Sequence, residues 1–418
     1  MSREMPRDTG LDNTLNVLKD GYMYIMNRQD RFDSDVFETR LLGQRTICLV
    51  GEEAAEIFYD EGKFQREGAA PNRIKETLFG KGGVQGLDGD AHKHRKAMFM
   101  SIMSRENLQH FNQLFKQQLR LAIEKWEQID DVIFYKEIEE VLTRTSCLWA
   151  GVIVEKDMDK LTDEIGTLFE SAASVGPAHW AGRRNRNKLE KWMSGLVEDV
   201  RDGKINPPEP SALYQFSWHQ DLEGNYLDPK IAAVEMLNII RPIVANAVYI
   251  NFLVLALYEH PQELEKIKTG GEEYAKMFVQ EVRRAYPFFP VAVAVVKNDF
   301  IWRDFTFKEG TLTLLDLYGT NHHPKSWDNP DIFNPERFRN WNDSPFSFIP
   351  QGGGDHYLGH RCAGEWVTLE VMKTSLDFLV NHMDYNIPKQ DLSLSVNDIP
   401  NTPEIALHNV RKKIDSFL

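Results

Sequence analysis

Cysteine is scarce in this chain: three among 418 residues, at Cys48, Cys147 and Cys362. A sparse, odd set provides no disulfide framework and fits a reducing compartment. Basic residues are also short, 49 against 63 acidic ones, for a formal net charge of −14. That balance argues against nucleic acid as a partner, because neutralising phosphates needs clustered Lys and Arg. Long apolar runs are missing as well. The most apolar region, Ile239–Leu257, is broken by Arg241, Pro242, Asn246 and Asn251, whereas a bilayer span needs about 20 uninterrupted apolar residues. No integral membrane segment is expected. The N-terminal MSREMPRDTGLDNTLNVLKDG lacks the apolar core of a signal peptide, so the expectation is a cytoplasmic protein. Repeats, low-complexity tracts and linkers are absent too, and residues 1–418 are expected to form a single domain.

What is present is mostly helical spacing. FETRLLGQRTICLVG carries β-branched residues around a Gly-Gln turn and reads as a hairpin. From Asp90 to about Leu257 most segments place apolar residues at a 3.6-residue period, as in Asn107–Trp126 with Leu108, Phe111, Leu114, Phe115, Leu119 and Leu121. Asp131–Val154, Met158–Ser174, Lys188–Arg201 and Pro229–Tyr258 behave alike. Pro261 suits the first turn of a further helix. After Pro287, VAVAVVKNDFIW and DFTFKEGTLTLLDLYG read as short strands, a helix follows Cys362, and the tail is strand-like again. The fold class is therefore mainly α with small β-sheets.

Two cysteines read as small buried hydrophobes: Cys48 in the strand-like TICLV and Cys147 in a helical stretch. Cys362 differs, because FSFIPQGGGDHYLGHRCAGEWVTLE surrounds it with glycines. Glycines permit tight backbone geometry and close approach to a flat partner, and the positive end of a following helix favours a thiolate. A thiolate so held can be an axial iron ligand. Zinc on His356, His360 and Cys362 would lack a fourth ligand at suitable spacing, and a loop without chemistry is the remaining alternative.

The loop resembles the cysteine-ligand loop of the cytochrome P450 superfamily, through Phe348, His360, Cys362 and Gly364. Several extra residues between Phe348 and Cys362 resemble the fatty-acid peroxygenase branch, its hydroxylases and decarboxylases. Other motifs stand in the expected order: Glu281 and Arg284 of EVRR, then Arg337 of NPERF. The resemblance implies haem b as cofactor in a single haem-thiolate catalytic domain, with Cys362 on the iron. It implies a buried ion network of Glu281, Arg284 and Arg337. His92 and Lys96, four apart on one helix face, are expected to bind a haem propionate. A further basic residue in the following strand has only Lys297 as a candidate.

In ordinary members of the superfamily an acid–alcohol pair on the long distal helix relays protons to bound dioxygen. Arg241 and Pro242 stand at that position here. A proline inside a helix is unfavourable by about 3 kcal/mol and kinks it. Arg241 has no acidic neighbour three or four residues away, where Leu237, Asn238, Val244 and Ala245 stand, and a buried arginine needs a counter-charge. A substrate carboxylate would provide it bidentately, and the resemblance implies this role. The expected activity is hydrogen peroxide-dependent hydroxylation of long-chain fatty acids at the α and/or β carbon, with the substrate's own carboxylate as general acid–base. The resemblance places Gln85 where alkene-forming members carry His and a mainly hydroxylating member carries Gln; because Gln cannot titrate, this favours hydroxylation over the alternative, decarboxylation to terminal alkenes. Leu78, Phe79 and Phe288 are pocket candidates by family position. Two other readings stay open: a monooxygenase served by a ferredoxin or flavoprotein reductase, and a non-catalytic haem protein.

Overall fold

The computed structural model describes residues 4–155, 157–174, 176–397, 399 and 402–413. The apolar stripes become helices, although tertiary contacts redraw several limits. Asn107–Trp126 lies in a helix from Arg105 to Trp126, capped by Ser104, whose Oγ accepts from the Asn107 amide at 3.2 Å. The stretch expected as one helix over Asp131–Val154 is divided. Asp131–Ile133 is a strand paired antiparallel with Ala406–His408, and a helix covers Phe134–Trp149. Pairing with a distant strand outweighs local spacing there. The Lys188–Arg201 helix reaches back to Pro177. Its first half, rich in Arg and Asn, carries no apolar stripe to read.

The Pro229–Tyr258 stretch forms two helices, Pro229–Ala245 and Ala247–Glu259, that meet at Asn246. The break therefore lies four residues beyond Pro242. A regular helix would give the Pro242 carbonyl the backbone N–H of Asn246. Instead that N–H donates to Ile243 at 3.1 Å, and the Asn246 side-chain Nδ2 donates to Pro242 O at 3.1 Å. Side-chain capping of this kind bends a helix without leaving a carbonyl orphaned. The Pro229–Glu259 stretch is apolar and long enough to cross a membrane, yet 94% of its most apolar window is buried inside the protein.

A five-stranded sheet takes Val36–Leu41, Gln44–Leu49, Leu312–Asp316, Val291–Val296 and Phe64–Gln65 in that spatial order. The first two form the expected hairpin, but the turn is Leu42-Gly43, both at positive φ, and Gln44 already belongs to the second strand. The sheet encloses its own small core around Ile47, Phe58, Ala294, Phe307 and Leu315. The helices enclose the larger one, which includes Phe111, Phe115, Trp126, Leu237 and Phe252. Cys48 and Cys147 are fully packed, as expected. Strands Met383–Asn386 and Ala406–Lys412 close the chain against Asp131–Ile133.

Candidate active site

Cys362 stands two residues before Gly364, the N-cap of the Glu365–Asp377 helix, which follows it as expected. It gains from the helix start, because the Gly364 amide donates to its sulfur. Burial pushes the thiol pKa up, while that amide, Lys96 and Arg283 favour the thiolate. The glycines let the loop fold tightly on itself. Gly352 and Gly354 have φ of 92° and 83°, and a Cβ on Gly353 would lie 2.5 Å from Pro345 O.

Lys96 reaches this loop from the Gly89–Ser101 helix, and its Nζ donates to the carbonyls of Gly359, at 2.7 Å, and Arg361. His92, one turn earlier, is buried and stacks on His360 with ring centroids 3.9 Å apart. Burial, with His360 and Lys96 nearby, pushes the His92 pKa down to about 3, and its Nδ1 finds no hydrogen-bond partner. Lys297 lies exposed at the end of its strand and donates to Glu61 O at 3.2 Å, so it takes no part. The cation that joins the cluster is Arg66, which sequence reasoning missed. Its buried guanidinium lies 4.4 Å over Phe58 and 5.5 Å from the Tyr59 ring centroid, and its one hydrogen bond, to Phe58 O, is long at 3.4 Å. Arg66, His92, Lys96 and His360 thus gather beside a thiolate-competent cysteine, with His92 Nδ1 unpartnered among the described residues and Arg66 weakly held, while His360 faces Asp88 at 3.6 Å. That donor set fits a flat dianionic iron cofactor, whose two carboxylates the basic residues would hold and whose iron the Cys362 thiolate would ligate.

Arg241 is 4% exposed in the Pro229–Ala245 helix, and its Nε has no hydrogen-bond partner among the described residues. Burial, then repulsion from Arg186, pushes its pKa down to about 9, opposed by Cys362. The guanidinium is therefore within electrostatic reach of the sulfur. A guanidinium keeps its proton near neutrality, so this burial is an uncompensated cost of several kcal/mol until an anion arrives. Arg186, from the Pro177–Arg201 helix, holds the neighbouring loop through the carbonyls of Leu78, at 3.1 Å, and Phe79, at 3.3 Å. A Cβ at Gly80 would strike Arg186 Nη2 at 2.2 Å, which explains a glycine there. Leu78 is buried, Phe79 is half-buried on the same core, and Phe288 lies tilted against Tyr249 with ring centroids 4.3 Å apart. Gln85 lies in a short turn, Val84–Gly86, and its Oε1 accepts from Asn238 Nδ2 at 3.2 Å.

The Glu281 network forms as expected. Arg284 meets Glu281 through Nε at 2.8 Å and Nη2 at 2.9 Å, and Arg337 Nε approaches it at 3.1 Å. Arg283, next to Arg284, was not anticipated. It bonds Glu365 at 2.6 Å and Gln351 at 2.9 Å and so anchors the cysteine loop. The zinc alternative fails: among the described residues no three His, Cys, Asp or Glu side chains could hold a metal ion.

The family model described as Cytochrome P450 matches residues 272–414. Among solved structures, the chain is similar to cytochrome P450EX alpha (CYP152N1) with myristic acid, at 46% identity and a TM-score of 0.95, covering 98% of this chain and 100% of that one. Cytochrome P450SP alpha (CYP152B1) in complex with (R)-ibuprophen matches at 45% identity and 0.94, over 96% and 99%. A variant of cytochrome P450 OleT in complex with arachidonic acid matches at 37% identity and 0.96, over 99% and 100%. The sterol 14alpha-demethylase of Mycolicibacterium vanbaalenii is 22% identical over 427 residues, 92% of each chain. The chain belongs to the cytochrome P450 superfamily and, within it, to the CYP152 family, and it is a haem-dependent oxidoreductase.

Proposed function

We propose that the protein hydroxylates long-chain fatty acids at the α and/or β carbon, with hydrogen peroxide as oxidant. The observation that carries this reading is Arg241: a buried guanidinium whose Nε has no partner, on the helix above the cysteine and within electrostatic reach of its sulfur. A carboxylate bound there relieves the burial cost and is gripped bidentately. Similar structures hold myristic and arachidonic acids, which supports an acid as the occupant.

In this reading Cys362 ligates the iron, and Arg66, His92, Lys96 and His360 hold the propionates. Haem supplies O–O cleavage and C–H oxidation when bound. Arg241 would fix the substrate head group and so present the first carbons of the chain to the haem that Cys362 would hold, which would make the reaction effectively unimolecular. Pro242 occupies the position where an alcohol would otherwise relay protons, so the acid–base work falls to the substrate carboxylate at Arg241. Leu78, Phe79 and Phe288 line the path of the acyl chain and exclude water. Gln85 offers hydrogen bonds but no titrating proton, which favours hydroxy acids over alkenes. The stoichiometry closes without electrons from a partner: fatty acid and peroxide give hydroxy acid and water.

The test is purified holoprotein with a long-chain fatty acid and hydrogen peroxide, without reductase, followed by mass spectrometry. Hydroxy acids are expected. Product that appears only with a reductase and reduced nicotinamide would overturn the reading.

A further inference from the structure

From Ile231 to its end at Ala245, the helix that carries Arg241 is apolar except for one polar residue at every third position: Glu235, Asn238 and Arg241. Residues three apart share a helix face, so Asn238 neighbours both Glu235 and Arg241 along one side of the helix. Glu235 is fully buried. Its Oε1 takes Arg95 Nη1 at 2.8 Å, and its Oε2 takes Asn238 Nδ2 at 3.0 Å. The same Nδ2 donates to Gln85 Oε1 at 3.2 Å. The contact is tight enough that a Cβ on Gly83 would lie 2.9 Å from Asn238 Nδ2 and 3.0 Å from Gln85 Oε1.

This chain has a direction. A carboxylate can only accept, so Glu235 requires the nitrogen end of the Asn238 amide to face it. Because that nitrogen also meets Gln85, the glutamine must present its oxygen inward. Its Nε2, which donates to nothing among the described residues, is then the outward end. We propose that Glu235 is a positioning residue: through Asn238 it orients the Gln85 amide so that N–H donors, and not an oxygen, face the acid held at Arg241. The inference rests on the proposed function and extends it. The carboxylate would meet a cation from one residue and a neutral donor from another, with the donor's polarity set two residues away.

Charge and orientation predict opposite signs, which makes the idea testable. Removing a buried negative charge near an anion site should, by charge alone, tighten fatty-acid binding. In Glu235→Gln, however, Arg95 claims the new amide oxygen, so its nitrogen faces Asn238. Asn238 then turns its oxygen inward, Gln85 turns its nitrogen inward, and an oxygen faces the substrate carboxylate. The losses are one donor and one new repulsion.

The experiment is calorimetric titration of the holoenzyme with a long-chain fatty acid, with KM and kcat measured in parallel. We expect E235Q to raise Kd and KM about tenfold with a smaller change in kcat, and E235D, which keeps an acceptor, to recover most of the affinity. Asn238→Leu cuts the relay but leaves the Arg95–Glu235 pair intact, and it should weaken binding comparably even if E235Q folds poorly. In a Gln85→Leu background neither change should weaken binding further, because no amide remains to be oriented. Tighter or unchanged binding in E235Q, or equal weakening in the Q85L background, overturns the inference. A wild-type protein that binds no fatty acid overturns the proposed function itself.

Discussion

Two buried arginines, Arg284 and Arg241, solve the problem of a charge in an apolar interior in different ways. Arg284 is saturated: Glu281 takes two of its nitrogens, at 2.8 and 2.9 Å, and the Asn321 carbonyl takes a third at 3.0 Å. Glu281 in turn accepts from Arg337 and from the Asn334 amide at 2.7 Å. Each nitrogen of Arg284 has a partner and its charge is met by Glu281, so the network serves to hold the polypeptide together. Arg241 is almost as buried, yet its Nε is left without a partner. A paired buried charge has its desolvation offset by its partners, whereas an unsatisfied one stores a penalty that a ligand can relieve.

The comparison breaks if the two sites respond alike to mutation. Removing Glu281 strands Arg284 and Arg337 together, and an uncompensated buried charge of this kind costs about 3–5 kcal/mol. Glu281→Ala is expected to lower the urea midpoint sharply and to lose haem, as read by unfolding curves and the Soret band. Arg241→Leu should do the reverse. Without substrate its thermal midpoint should equal or exceed that of the wild type, because an unpaired charge has been removed, and haem should stay bound. Peroxide-driven oxidation of fatty acids should fall at least about a hundredfold. An E281A protein as stable as wild type, or an R241L protein with full activity, would show that saturation does not separate the two roles.

Both sites were legible in the sequence because their signals are local. Glu281 and Arg284 lie one turn apart, Arg241 interrupts an apolar helix, and Cys362 sits among glycines. What escaped notice depends on distant partners. Arg66 lies in an ordinary polar stretch, FQREG, and acquires meaning only where the fold brings it near His92 and His360. Arg186, Arg95 and Glu235 are likewise ordinary helical residues until they meet across three helices. Lys297 fails for the converse reason: its position in sequence suits the role, but the strand ends before it and leaves the side chain outside. The bend at Asn246 was hidden because proline predicts a disturbed helix without saying which carbonyl goes unmet. Asp131–Ile133 became a strand through pairing with residues some 270 positions away.

A third buried charge sharpens the comparison, because it is an acid without a partner. Asp316 caps the Leu317–Asn321 turn through the Gly319 amide at 2.7 Å, but its second oxygen is buried and unbonded. Burial pushes its pKa up to about 7. Unlike a guanidinium, a carboxylic acid can answer burial by keeping its proton. An unfolded aspartate titrates near 3.9, so between about pH 4 and pH 7 the folded state binds more protons than the unfolded one. Stability from this residue is therefore full below pH 4, declines as pH rises through that window, and levels off above 7. Asp316→Asn is isosteric and uncharged, and its oxygen can still accept from Gly319. Thermal midpoints of the two proteins should converge near pH 4 and separate in favour of the variant by pH 8, by on the order of 1–3 kcal/mol. Parallel pH profiles would mean that Asp316 carries its charge in the fold as Arg241 does. Then the ability to exchange a proton would not distinguish a buried acid that is merely structural from a buried base that waits for a ligand.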